Sequence, residues 1–310
     1  MRALLVDHSA PTGLRLGTAP DPEPGPHQAL IRVTATSLNS GELRHAAVDS
    51  PDGTVLGWDT AGVVERAAAD GSGPAVGTPV VALGPGGGWA ELRAVDTDWI
   101  GIVPAGADMS AISTIPVAAA TALRALHRIG PILGKRVLVT GATGGTGRYA
   151  VQLARLGGAE VVASTGDPDA HGAGLRAIGA AEVVGDPAEV RTKVDGVVEL
   201  IGGDQLVGAY RVLAERGTLV AAGHAAGDGE SFPFGALFGH EGRHDRAIVS
   251  FFLLACADLA PDLSWLAAKV ADGTLDPNIT WRGDWSRVAD AAEALLGRRL
   301  HGKAVLEIRN

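Results

Sequence analysis

A chain of 310 residues, 46% hydrophobic and 20% charged, has the composition of a globular protein long enough to build two packed domains. Its formal net charge of −9, with no block of Lys or Arg, repels nucleic acid and acidic membranes, so neither is expected as a partner. A single cysteine, Cys256, excludes an intramolecular disulfide framework and any Cys-rich zinc module, and it reads as a small apolar residue.

The opening Met1-Arg-Ala-Leu-Leu-Val-Asp7 has too short an apolar part for a signal peptide. No stretch of about 18 uninterrupted apolar residues follows, so a reducing cytoplasm is the expected location. Through residues 1–115, short apolar runs alternate with Gly/Pro-rich turns such as Pro20 to Pro26. The runs Ala3–Val6, Ala29–Val33, Gly62–Glu65, Pro79–Leu83 and Ala90–Val95 predict a mainly antiparallel β domain of barrel type, with no helix of any length.

The texture changes at Met109. The Ala-rich run Val117–Leu126 predicts a helix leading into a second region. Next comes Val137-Leu-Val-Thr, an apolar and β-branched strand, then glycines at 141, 144, 145 and 147, then Ala150, Val151, Leu153, Ala154 and Leu156 at helical spacing. Strand, glycine turn and helix are the setting in which backbone N–H groups and a helix dipole hold a pyrophosphate. The spacing is not a literal G-x-G-x-x-G, so an ordinary glycine-rich turn stays open. Predicted strands at 161–164, 182–184, 196–201 and 218–222 alternate with helices at 170–178 and 205–214, which means βαβ units and a doubly wound parallel sheet. Ala247–Leu254 is expected as its sixth strand.

In the tail, Leu263–Ala271 and Ser286–Leu296 predict helices and Ala304–Ile308 a closing strand. Sequence pattern does not say whether that strand returns to the first domain.

The chain resembles the medium-chain dehydrogenase/reductase superfamily, in its zinc-independent quinone oxidoreductase-like branch. Ordered motifs carry the resemblance nearly end to end: Ser37-Leu-Asn39, Val55 to Val64, Gly86-Gly-Gly-Trp-Ala-Glu91, Ala120-Thr-Ala-Leu123, the Gly141 loop with Gln152-Leu-Ala-Arg155, Leu200-Ile-Gly-Gly203 and Gly302-Lys-Ala-Val-Leu306. It implies an α/β architecture with a GroES-like, mainly-β substrate domain from 1–117 and 255–310, a Rossmann domain from 118–254, and hydride transfer from nicotinamide. Zinc-dependent relatives carry a metal-binding Cys where this chain has Asn39 and a His where it has Trp58, and their Cys-rich lobe is replaced by the short turn Gly84–Ala94. A catalytic zinc needs three protein ligands from Cys, His or carboxylate, so no metal is expected.

The resemblance also assigns the site. Asn39 lines the nicotinamide pocket, with a turn asparagine as the plainer reading. His45, beside Arg44, could donate a proton near neutral pH, although an exposed loop histidine with no such role is the simpler account. Thr121 reaches the nicotinamide from a helix, unless its hydroxyl bonds its own backbone. Gly141, Gly144, Gly145 and Thr146 serve the pyrophosphate, and Gly202, Gly223, Phe251 and Phe252 line the later cofactor loops, the two phenylalanines being equally readable as strand core. Lys303 matches a closing Gly-Lys pair and otherwise reads as a solvated charge.

Cofactor choice turns on the tip of the second strand of the predicted parallel sheet. Ser164 and Thr165 are neutral there and leave room for a 2′-phosphate, whereas a carboxylate would favour NAD(H). Asp167, Asp169 and Asp186 stand nearby, and Arg176 is the one neighbouring cation in the sequence. NADP(H) is expected over NAD(H). His240-Glu-Gly-Arg-His244 is a literal H-E-x-x-H, but Gly242 interrupts it and no metzincin continuation follows.

These readings converge on a zinc-independent reductase of quinones or α,β-unsaturated carbonyls, acting on a small electrophile and pairing as a homodimer through an Ala247–Leu254 edge strand. An alcohol or sugar dehydrogenase, and a nucleotide-binding sensor without turnover, are the alternatives.

Overall fold

The structure is a computed structural model and describes residues 1–309. The N-terminal part runs β1 (Arg2–Val6), β2 (Leu14–Thr18) and β3 (Gln28–Leu38), then a helical turn Glu42–Ala46 continued by α1 (Ala47–Asp49). β4 (Asp59–Arg66), β5 (Pro79–Leu83), β6 (Leu92–Asp96), β7 (Ile100–Ile102) and α2 (Met109–Ile112) follow. Next come α3 (Ala120–Ile129), β8 (Arg136–Val139), α4 (Gly145–Leu156), β9 (Glu160–Ser164), α5 (Pro168–Ala177), β10 (Ala180–Val184), β11 (Val194–Glu199), α6 (Gly203–Val212), β12 (Leu213–Ala221) and β13 (Ala247–Ser250). The chain closes with α7 (Leu259–Ala271), β14 (Ile279–Asp284), α8 (Val288–Leu296) and β15 (Lys303–Glu307). Among the described residues no helix is long and apolar enough to cross a membrane.

Two compact units result, one from Met1–Ala120 with the segment from Leu254 onward, the other from Thr121–Leu253. In the first, a seven-stranded sheet has the order β14-β15-β3-β4-β5-β7, with β6 also paired to β3. All its pairs are antiparallel except β14 with β15. The closing strand does return: Ala304 registers with Leu38 and Val305 with Ser37. Trp89 and Trp285, both fully buried, anchor a core with Leu4, Val33, Leu38 and Leu306.

The second unit is a six-stranded parallel sheet of order β10-β9-β8-β11-β12-β13. This is the doubly wound order, in which the first strand lies centrally and ligand loops gather at the carboxyl ends. The fully buried run Val137-Leu-Val139 explains the near-continuous apolar character of β8.

Several expectations need correction. The sixth strand spans Ala247–Ser250 rather than Ala247–Leu254. After Ser250 the backbone makes one further bond, Phe251 N–H to the Ala221 carbonyl, and then turns through the 3₁₀ segment Leu253–Ala255. Phe252 is 67% exposed, so strand core does not describe it. The helix expected over Val117–Leu126 begins as a wide turn, Ile115–Ala119, with Pro116 in its first turn, and becomes α-helical only at Ala120. β2, β7 and β14 have no counterpart among the predicted strands, because each is short or half-exposed and carries Gly or charge within it.

Candidate active site

In the first unit, Asn39 follows directly on β3 and lies in a buried polar cluster. Its amide nitrogen donates to Asp59 Oδ2 at 2.8 Å and to Glu42 Oε2 at 3.0 Å, and its Oδ1 accepts from Lys303 Nζ at 2.6 Å. The Asn39 backbone N–H also reaches Glu42 Oε2, at 2.8 Å, so the helical turn that begins at Glu42 is fastened to the strand end. Each polar atom of this side chain is engaged, which is more than a simple turn asparagine achieves.

Lys303 is 3% exposed, so the solvated-charge reading fails. Its ammonium also donates to the Leu38 carbonyl at 3.2 Å and stands 3.4 Å from Asp59 Oδ2. Sequence reasoning singled out neither Glu42 nor Asp59 for a role, yet both are wholly buried. Asp59 also accepts from the Ser37 hydroxyl and from the Val117 N–H at 2.8 Å. Burial first, and then the Asp59 carboxylate, push Glu42 up to about 8, against the opposing bond from Trp58 N–H. Arg93, 2% exposed, donates to Thr60 Oγ1 at 2.6 Å and to the Trp58 carbonyl at 3.0 Å, and burial lowers it to about 10. Two buried acids and two buried bases thus share one pocket of the fold, a balance that removal of any one of them would upset. A sequence signal was available: Glu42 precedes Leu43 and sits three positions after Asn39, and Asp59 follows Trp58.

The Trp58 ring lies 3.1 Å from where a Cβ on Gly41 would stand. His45 projects from the Glu42–Ala46 turn and is exposed.

In the second unit, the glycine loop follows β8 as expected. Gly147 must be glycine, since a Cβ there would stand 2.2 Å from the Gly141 carbonyl oxygen and 2.7 Å from Ala142 Cα. Arg148 N–H makes the first intrahelical bond of α4, to the Gly144 carbonyl at 2.9 Å, and no side chain caps the helix. The amides of Gly145, Thr146 and Gly147 precede that bond, so they are donors without an intrahelical acceptor at the positive end of a 12-residue helix. Ala142 N–H donates to the Ser164 carbonyl at 3.0 Å, tying the loop to the tip of β9.

Glu199, at the end of β11, organises the next loop. Its carboxylate accepts from Thr140 Oγ1 at 2.9 Å, Ile201 N–H at 2.9 Å and Gly202 N–H at 3.0 Å, while burial holds its acidity below that of an ordinary carboxyl. Gly202 has φ +78°, and a Cβ on it would meet His224 Cδ2 at 2.8 Å. Gly223 N–H reaches the Glu199 carbonyl at 3.2 Å, so both predicted glycine loops hang from one residue that sequence reasoning passed over.

The remaining predicted residues are less closely joined. Thr121 is 6% exposed in the first turn of α3. Ser164 and Thr165 are 2% and 5% exposed, so the neutral tip of β9 presents little hydroxyl to solvent. Asp167 caps α5 through Ala170 N–H at 2.9 Å, and Asp186 binds Ala188 N–H at 2.7 Å and Gln205 Nε2 at 2.8 Å, so two of the acids near that tip have structural duties. Phe251 is half-buried.

His240 and His244 lie on irregular turns, with His240 Nε2 bonded to Arg243 at 2.8 Å and His244 paired with Glu215 at 3.1 Å. Among the described residues no group of three or more His, Cys, Asp or Glu could hold a metal ion.

The comparisons with known proteins agree with this architecture. A family model described as "Alcohol dehydrogenase GroES-like domain" matches residues 25–105, and one described as "Zinc-binding dehydrogenase" matches residues 156–306. The chain belongs to the medium-chain dehydrogenase/reductase superfamily. It resembles the quinone oxidoreductase from Coxiella burnetii, with TM-score 0.83 and 26% identity over 100% of this chain and 99% of that one. A 2-haloacrylate reductase aligns over 100% of both chains with TM-score 0.86 and 25% identity. Among curated proteins, polyketide synthase GfsB from Streptomyces halstedii is 31% identical over 98% of this chain, which spans only 5% of that much longer protein.

The fold of this superfamily implies a nicotinamide dinucleotide. The residues present fit such a group. Gly147 lets the Gly141 carbonyl and Ala142 pack where a Cβ would stand, which closes the loop onto α4, and the amides of Gly145 to Gly147, without intrahelical acceptors, suit a pyrophosphate.

Proposed function

We propose that the protein is a zinc-independent, NADP(H)-preferring reductase of quinones or α,β-unsaturated carbonyls. The observation that carries this reading is the side chain at position 39. An amide committed to Lys303, Asp59 and Glu42 stands where a metal-dependent relative needs a thiolate, and the neighbouring position is the indole of Trp58. Without a Lewis acid to polarise a simple ketone or alcohol, acceptors already electron-poor at carbon are the better substrates. The solved relatives described as a quinone oxidoreductase and a 2-haloacrylate reductase support the same class.

Bound nicotinamide supplies the hydride. The amides of Gly145, Thr146 and Gly147 hold the pyrophosphate, Glu199 fixes the loops bearing Gly202 and Gly223, and the buried cluster fixes Asn39 and leaves its side chain no rotamer freedom. Rate enhancement then rests on positioning. The balancing proton comes from solvent or from His45, which is exposed to it. The neutral Ser164–Thr165 tip, with Asp167 and Asp186 engaged elsewhere, supports NADP(H) over NAD(H). A homodimer through the exposed edge of β13 accords with the alternating exposure of Ala247–Ser250.

The test is oxidation of NADPH, with NADH in parallel, across quinones, enones, enals and simple alcohols using protein stripped of metal. Turnover of an enone or quinone with a lower KM for NADPH is expected. Efficient oxidation of plain alcohols with no reaction of any electrophile would overturn the proposal, and NADPH binding without turnover would favour a sensor.

A further inference from the structure

A cavity of about 750 Å³ in the second unit is lined by both cations and aromatic rings. Lys193, Arg211, Arg243 and Arg246 supply the charge, and Phe234 and Phe238 much of the apolar wall. Lys193 immediately precedes β11 and Arg246 immediately precedes β13, two strands that run parallel through β12. The cavity therefore lies at the amino ends of the strands, whereas the loops after β8 and β11 that fit the cofactor lie at the carboxyl ends.

Positive charge here is poorly compensated. Arg243 pairs with Glu241 at 3.3 Å, and among the described residues no carboxylate pairs with Lys193, Arg211 or Arg246. Lys193 Nζ bonds the Arg211 carbonyl at 2.7 Å, and Arg246 Nη1 reaches the Tyr210 carbonyl at 3.4 Å, so these cations are held in place by backbone oxygens. Arg246 Nε is buried with no acceptor, a donor that an anion in the cavity could satisfy. Burial, then Arg246 and Arg243, lower the Lys193 ammonium from its ordinary value. Concentrating like charge in this way is unusual on a chain of net charge −9.

The rings are equally unspent. Phe234 is 97% exposed and stacks edge-on against Phe238, 54% exposed, at 5.4 Å between centroids. Arg246 lies over the Tyr210 ring at 5.8 Å, which pre-orients the guanidinium. We propose that this cavity binds an organic anion with an apolar body, a carboxylate or phosphate head on an aliphatic or aromatic chain, at a site separate from hydride transfer. The cations take the head, with guanidinium favouring a planar bidentate acceptor, and the phenylalanines cover the body.

Isothermal titration calorimetry with decanoate, decyl phosphate, inorganic phosphate and neutral decanol tests this in the whole protein. Decanoate or decyl phosphate should bind at least tenfold more tightly than decanol, and the better of the two identifies the head group. The double variant Lys193→Met/Arg246→Met, which keeps the apolar stems, should lose tenfold or more. Phe234→Ser, at a residue too exposed to affect folding, should weaken the decyl anions several-fold and leave inorganic phosphate unchanged. Equal binding of decanol and decanoate overturns the proposal. So does unchanged affinity in both variants, loss of the anion site on adding NADPH, or a cavity that responds only through dissociation of a dimer.

Discussion

The ammonium of Lys303 lies 2.6 Å from the side-chain oxygen of Asn39, so a strand near the end of the chain holds in place the asparagine that directly follows β3. Replacing Lys303 by Met should leave Asp59 and Glu42 buried against Arg93 alone and cost about 3–5 kcal/mol. Urea denaturation measures this, and Lys303→Arg should recover part of the loss.

Glu42 gives a pH dependence of defined sign. With its pKa raised to about 8 in the folded protein from an ordinary 4.5, the native state retains a proton that the unfolded chain has released. Stability should therefore be full below about pH 4.5 as far as this group is concerned, fall through the window up to about 8, and level off above it, with a slope of at most about 1.4 kcal/mol per pH unit. Denaturation midpoints from pH 5 to 9 should show the decline, and Glu42→Gln should flatten it.

The glycine loop separates two substitutions by geometry. Gly147→Ala places a Cβ against backbone that cannot yield, 2.2 Å from the Gly141 carbonyl, and should abolish cofactor binding measured by NADPH fluorescence. Gly144→Ala meets the same carbonyl at an ordinary 3.4 Å and should weaken binding less than tenfold.

Glu199→Gln should act on the loops without unfolding the sheet. An amide in place of the carboxylate turns a donor toward Thr140, Ile201 or Gly202, a mismatch of about 1–3 kcal/mol. The expected outcome is weaker NADPH affinity together with faster amide exchange at Ile201 and Gly202.

If His45 supplies the proton, His45→Ala should lower kcat and remove the corresponding limb of its pH profile. An unchanged profile assigns the proton to water, which reaches this exposed ring freely.

What the sequence disclosed follows from how locally each feature is encoded. β8, the glycine turn and α4 are contiguous, and their pattern of apolar residues and glycines is legible within twenty positions. The polar cluster is not, because Asn39, Asp59, Arg93 and Lys303 come from four separate strands or strand ends, and only their pairing shows that Lys303 is buried rather than solvated. Ala247–Leu254 misled for the opposite reason. It is apolar but for Ser250, yet four residues form the strand, and Phe252 is left at the surface.

The pairing of β15 with β3 also bears on the order of synthesis. Leu38 cannot meet Ala304 until nearly the whole sequence has been made, whereas every strand of the parallel sheet is available once Ser250 has emerged. During translation the nucleotide-binding unit can therefore mature first, while β3 waits with one edge incomplete. A nascent chain halted near residue 255 should resist protease across its second unit and be cut readily in its first.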